Sequence, residues 1–299
     1  MKALLFPGQG SQYEGMGRSL YENFDSARDV FMQIDEILGY KLSEKCFSSS
    51  QEELKDTSLQ QLAIMAVSLA AYRASKQKMS DVSFLSGLSL GEYSCLYAGN
   101  VISLKDLVIL VRERAKAMQE AALQASSTML AVLGAGQEDL KPLAENLGFF
   151  LANINSASQV VISLKKESCQ AVASKLQEQG YKVIELQVSG GFHSPFMAPA
   201  KDHLSRVMSS LSFKKSEFPI VSNYTGRGHT DPEQIKENLL KQLVSPVLWK
   251  DCVDYLNSKG VDLFFEVGPS KVLKGLIRKI NPKLKVINIE KREDIENLS

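Results

Sequence analysis

Short apolar runs alternate along this chain with longer stretches in which apolar residues recur every three or four positions. The runs at 3–6, 82–86, 219–222, 263–267 and 285–289 are strand-length and bounded by polar or turn-forming residues, so they predict buried strands. The stretches 59–75, 104–123, 199–211 and 232–243 carry a helical period. Strands separated by helices make parallel βαβ units, with a sheet covered on both faces. Between 127 and 192 the rhythm changes to strand 128–133, helix 137–147, strands 150–155 and 160–164, helix 166–180 and strand 181–188. That is the β-α-β-β-α-β order of a ferredoxin-like unit. The expected organisation is a large α/β subdomain of residues 1–126 and 193–299, interrupted by a small ferredoxin-like subdomain at 127–192.

Composition narrows the function classes without choosing one. Hydrophobic residues are 44% and charged residues 23% of the 299, which excludes a disordered chain. Thirty-five basic residues against thirty-four acidic ones single out neither nucleic acid nor an anionic membrane as a partner. No apolar run approaches the roughly 18 residues of a membrane span, and the opening residues read as a first strand, not a signal peptide. Cys46, Cys95, Cys169 and Cys252 are too scattered for a zinc site or a disulfide framework. A cytoplasmic location, a monomer and no metal are the expectations.

The chemistry begins at Gly87-Leu88-Ser89-Leu90-Gly91. This G-x-S-x-G follows a predicted strand and opens a helical stretch, the context in which such a serine becomes an exposed nucleophile. A plain glycine turn is the competing reading. Of three histidines, His229 lies in a polar turn and His203 within a helical stretch, whereas His193 sits in Ser189-Gly190-Gly191-Phe192-His193-Ser194-Pro195. That rigid, apolar-walled loop suits a cleft, so His193 is the candidate base. The acid expected between Ser89 and His193 has no clear strand-end candidate. Glu266 is a possible orienter but comes after the histidine, and a backbone carbonyl could orient the ring instead. Arg114 borders the apolar face made by Leu107, Val111 and Met118. Either it holds an anion or its stem snorkels and its charge stays wet. Gly8-Gln9-Gly10 after the first strand fits neither a dinucleotide fingerprint nor a P-loop. It is a plain turn or a source of amides for an oxyanion.

Taken in order, several stretches resemble the malonyl-CoA:acyl carrier protein transacylase family. They are Phe6-Pro7-Gly8-Gln9-Gly10-Ser11-Gln12, Gln61 with Ala63-Ile64, Gly87-Leu88-Ser89-Leu90-Gly91-Glu92-Tyr93, Arg114 with Met118-Gln119, Asn153-Ile154-Asn155-Ser156, Phe192-His193-Ser194, Ser245-Pro246-Val247 with Trp249, and Glu266-Val267-Gly268-Pro269. The resemblance implies an α/β-hydrolase-like large domain with the ferredoxin-like insert. It also implies Ser89 as acyl carrier, His193 as base, and the amides of Gln9 and Leu90 as oxyanion hole. Arg114 then holds the malonyl carboxylate, with Gln61, Phe192 and Asn155 on the substrate side and the Ser245 carbonyl orienting His193. Departures are Leu88 for a frequent histidine, Leu62 for proline, Leu248 for arginine and Ser270 for glycine.

The activity implied is malonyl transfer from malonyl-CoA to the phosphopantetheine thiol of an acyl carrier protein, for fatty-acid or polyketide chain extension, with no cofactor of its own. Met1 to Gly17 and Leu38-Gly39-Tyr40 lean towards free-standing polyketide acyltransferases acting in trans. Eight basic residues at 271–292, opposed by Glu290, are either a docking face for an acidic carrier or a solvated helix face. The rival activity is an acyl hydrolase of the same fold that clears carrier proteins. A non-catalytic carrier-binding module is the third reading, against which the Ser89 and His193 pairing counts.

Overall fold

The computed structural model describes residues 1–298. Its strands are β1 (Lys2–Phe6), β2 (Val82–Gly87), β3 (Ser127–Leu133), β4 (Phe149–Ser156), β5 (Gln159–Lys165), β6 (Lys182–Glu185), β7 (Ile220–Val221), β8 (Gly228–His229), β9 (Leu263–Val267) and β10 (Lys285–Ile289). The larger sheet has the order β10-β9-β1-β2-β7-β8. All its neighbours run parallel except β7 and β8. Side chains of β1 alternate between two buried layers. Ala3 and Leu5 meet Trp249, Val253 and Ile277, while Leu4 and Phe6 enter the cluster that holds Ile64, Leu90 and Val111. A central strand covered on both faces must be apolar throughout, which is why β1 reads as an unbroken run.

The second sheet is antiparallel in the order β4-β5-β3-β6, a ferredoxin-like arrangement with helices Gln137–Leu147 and Cys169–Glu178 in the connections. Leu130, Val132 and Ile162 pack with Leu140, Val172 and Leu176 of those helices. On the opposite face Met129, Ala131 and Val161 join the main core. The inserted sheet is therefore sandwiched, and its second face is continuous with the larger body.

The structure trims some expected elements and adds others. The second helix of the insert opens with a 3-10 turn, Lys166–Ser168, and β6 stops at Glu185 because the chain then leaves the sheet for the loop to His193. The two-residue strand β8 is too short to show as a period. Helices Arg18–Asn23, Asp25–Leu38 and Leu42–Ser48 lie outside the elements read from sequence. Among the described residues no helix is long and apolar enough to cross a membrane.

Adjacent parallel strands β1 and β2 end together, Phe6 beside Gly87. The loops leaving their carboxyl ends meet there, the customary ligand position in such sheets.

Candidate active site

Ser89 stands between β2 and helix Leu90–Ala98 with φ 53° and ψ −98°, a conformation that L-residues populate only under constraint. Three glycines make the turn possible. A Cβ on Gly91 would collide with the Phe6 carbonyl, one on Gly87 with the Gly91 backbone, and one on Gly8 with the Leu88 carbonyl. Loop and turn are thus interlocked at backbone distance, and the Gly8-Gln9-Gly10 segment is more than a plain turn. Among the described residues the amides of Gln9 and Leu90 have no intramolecular acceptor, as donors reserved for a ligand would have.

Ser89 Oγ lies 2.8 Å from His193 Nε2. His193 Nδ1 donates to the Gln242 carbonyl at 2.8 Å. A carbonyl only accepts, so Nδ1 carries the proton and Nε2 offers its lone pair to the serine hydroxyl. Here the expectation for Ser245 is corrected: the orienting carbonyl belongs to Gln242, one turn earlier in helix Pro232–Val244. The reason lies in the sequence. Residue 246, which would cap the Gln242 carbonyl with an i→i−4 N–H, is proline, so that carbonyl is left free inside the protein. Burial pushes the His193 pKa down to about 4, against a smaller upward effect of the Gln242 carbonyl.

The loop carrying His193 is pinned to the inserted sheet. Ser163 Oγ of β5 donates to the Phe192 carbonyl (2.6 Å), and the Gly191 amide donates to Ser127 Oγ of β3 (2.8 Å). Phe192 is buried in the main core. Asn155, near the end of β4, is buried with Oδ1 unpartnered among the described residues, and no hydrogen bond ties it to the serine or histidine.

Arg114 is completely buried at 0% exposure, which rules out the snorkelling reading. Arg112 is the exposed one, paired with Glu113. Arg114 Nη1 donates to Gln61 Oε1 (2.5 Å), and Nη2 donates to Ser89 Oγ (2.9 Å). Its guanidinium sits 4.7 Å from the Tyr93 ring centroid, so an aromatic face partly replaces an anion. Burial lowers its pKa, with opposing support from Tyr93 and Glu92. Among the described residues Nε has no partner. Gln61 Nε2 reaches Gln9 Oε1 at 3.4 Å, and Gln9 Nε2 donates to Gln60 Oε1 at 2.5 Å. Ser89, His193, Arg114, Gln61 and Gln9 therefore form one connected group.

Three further residues complete the site. Asn223 Oδ1 accepts the Ser89 amide (2.6 Å), and Asn223 Nδ2 donates to the Gly87 carbonyl (2.8 Å), bracketing the strained turn. Glu92 Oε2 accepts from the Asn223 amide (2.9 Å) and from Gln242 Nε2 (2.7 Å). Desolvation raises Glu92 to about 7 against those bonds and Arg114. Glu92 stands in the stretch Gly87 to Tyr93 that carries the family resemblance, and a charge at that helix start was its second signal. For Gln242 the signal was the proline four residues on, and Asn223 gave none.

Glu266 is not an orienter. Its carboxylate accepts the amides of Leu273 and Lys274, both at 2.8 Å, and so caps helix Val272–Ile280. His203 pairs with Glu113 and His229 with Thr225. Ser270 has φ 70°, which is why glycine suits that position. All four cysteines are free thiols, and no metal-holding cluster occurs among the described residues.

A parallel sheet delivering a serine on a strained turn, a neutral imidazole against it and unpaired amides alongside define a serine acyltransferase or hydrolase of the α/β type. The comparisons resolve the class. Residues 3–290 match the Acyl transferase domain model, and the chain belongs to that family. It is 39% identical over 300 residues to the malonyl CoA-acyl carrier protein transacylase of Bacillus subtilis, covering 98% of this chain and 95% of that one. Its fold matches the acyl-carrier-protein-S-malonyltransferase of Bartonella henselae with TM-score 0.95 at 34% identity, over 99% and 97% of the two chains. A malonyl-transacylase solved in complex with a holo type II PKS acyl-carrier protein matches with TM-score 0.94 at 33% identity, over 99% and 98%.

Proposed function

We propose that the protein takes a malonyl group from malonyl-CoA onto Ser89 and passes it to the pantetheine thiol of an acyl carrier protein. The observation that carries this reading is the buried guanidinium of Arg114, 2.9 Å from the nucleophilic oxygen. A fixed cation there matches a short acyl group ending in a carboxylate. A general hydrolase gains nothing from such a demand.

In the loading half-reaction His193 Nε2 takes the Ser89 proton as Oγ attacks the thioester carbonyl. The Gln9 and Leu90 amides receive the oxyanion, each such donor being worth about 2.7–4 kcal/mol. Collapse expels the CoA thiolate, which takes the proton from His193. The carrier thiol then gives its proton to His193 and attacks the seryl ester, and Ser89 recovers the proton on release. Gln61 holds the guanidinium, and Phe192 and Asn155 border the acyl group. Lys271, Lys274, Arg278, Lys279, Lys283, Lys285, Lys291 and Arg292 are all exposed and offer an acidic carrier a basic face. Lys279 is in part committed to Gln159 (2.9 Å). Both fatty-acid and polyketide extension consume the product.

Intact-mass and peptide analysis after mixing with malonyl-CoA should find a malonyl adduct on Ser89, which holo carrier protein removes to itself. Release chiefly as free malonate would make the chain a hydrolase, and absence of any adduct would overturn the reading. The acid limb of kcat/KM for loading is a second check. The catalytic imidazole is neutral above its folded pKa, which burial lowers from 6.5 to about 4. Loading should therefore persist as pH falls through 6.5 and drop only towards about 4, as rapid-quench loading would measure.

A further inference from the structure

Two buried charges of opposite sign face each other across one side chain. Gln242 Oε1 accepts from Arg114 Nη2 (3.5 Å), and Gln242 Nε2 donates to Glu92 Oε2 (2.7 Å). All three residues are buried. The amide is oriented with its negative end to the cation and its positive end to the anion, so it passes the attraction from one to the other. Around Glu92 stand Tyr93 and Cys95 on its own helix and Arg114 on helix Leu104–Ala125. Ser222 and Asn223 follow β7, Gln242 lies on helix Pro232–Val244, and Cys252 lies on helix Trp249–Ser258. Arg114 is the one cation among these groups. His193 faces Arg114 and the Gln242 carbonyl.

We propose that Glu92 is the resting counter-charge of Arg114, relayed through the Gln242 amide, and that a substrate carboxylate reaching the guanidinium displaces it from this role and makes Glu92 take up a proton. The inference rests on the reading that Arg114 receives the malonyl carboxylate. At rest the buried site holds one cation and one anion. A second anion leaves a net negative charge away from water, which is costly unless a group neutralises. Glu92 is the group best placed to do so, because burial already favours its protonated form. Its bonds from Asn223 and Gln242 both end on Oε2, so a proton on Oε1 leaves them in place, while the Ser222 hydroxyl nearby favours the carboxylate at rest. Acetyl groups bring no carboxylate and call for no proton. Glu92 would thus be a positioning residue that ties acyl selection to proton binding.

Calorimetry on the Ser89→Ala protein, which cannot be acylated, tests this with malonyl-CoA and acetyl-CoA in buffers of different ionisation enthalpy at about pH 8. Malonyl-CoA should bind with uptake of about one proton, and acetyl-CoA, which cancels the CoA contribution, with none. Malonyl-CoA affinity should fall about tenfold per pH unit above neutrality. Adding Glu92→Gln should remove both the uptake and the slope. Infrared difference spectra of the Ser89→Ala protein should gain a protonated-carboxyl band on malonyl-CoA addition, a readout independent of whether Glu92→Gln folds. Malonyl-CoA binding without proton uptake, or uptake that survives Glu92→Gln, would overturn the proposal and leave the malonyl reading standing. Failure of malonyl-CoA to bind at all would overturn both.

Discussion

Replacing Ser89 by alanine should abolish the covalent adduct and reduce transfer about 10⁴-fold or more. The hydroxyl lies 2.8 Å from His193 Nε2 and also accepts from Arg114 Nη2. Removing it deletes the nucleophile and disconnects the base in one step. His193→Ala should cost a similar amount, and the double variant little more, because the two groups act as a unit. Rapid-quench transfer kinetics with a circular-dichroism check of folding would measure all three. Substantial transfer by Ser89→Ala would refute the covalent route.

Arg114→Ala should lower malonyl loading by about 10²–10³-fold while acetyl loading falls much less. Loss of one partner of a buried charge pair costs roughly 2–5 kcal/mol, largely because the other charge is left unpaired. That penalty applies to the malonyl carboxylate and not to an acetyl methyl group. Acetyl loading should still suffer somewhat, since Arg114 also braces Gln61, which touches Gln9 beside the oxyanion position. Arg114→Lys should restore little, because an ammonium cannot span Gln61 and the substrate with a planar fork. Parallel loading assays with the two thioesters decide the matter, and equal losses would remove Arg114 from substrate selection.

The unbroken apolar run of β1 and the strand–glycine–serine–glycine–helix sequence exposed the sheet and its nucleophile to direct reading, since both are local patterns. The base could be narrowed to His193 from its loop composition, but its orienting partner could not. Whether a carbonyl at 242 or 245 reaches the imidazole depends on how helix Pro232–Val244 packs against the loop that carries His193, a tertiary fact. The proline at 246 was the available clue. Arg114 shows the same limit from another side. Helical spacing puts it at the rim of an apolar face, and only the packing of neighbouring helices decides that the rim is closed. Glu92, Asn223 and Gln242 converge from helix, loop and helix across more than a hundred residues of chain, and no spacing rule connects them.

The imidazole and the alcohol are positioned from different sheets. His193 hangs from a loop fastened to the inserted sheet through Ser127 and Ser163, whereas Ser89 is locked against β1 of the larger sheet. Alignment of the proton relay is therefore set by the packing between the two sheets, and a misplacement of about 1 Å there would slow chemistry about a hundredfold.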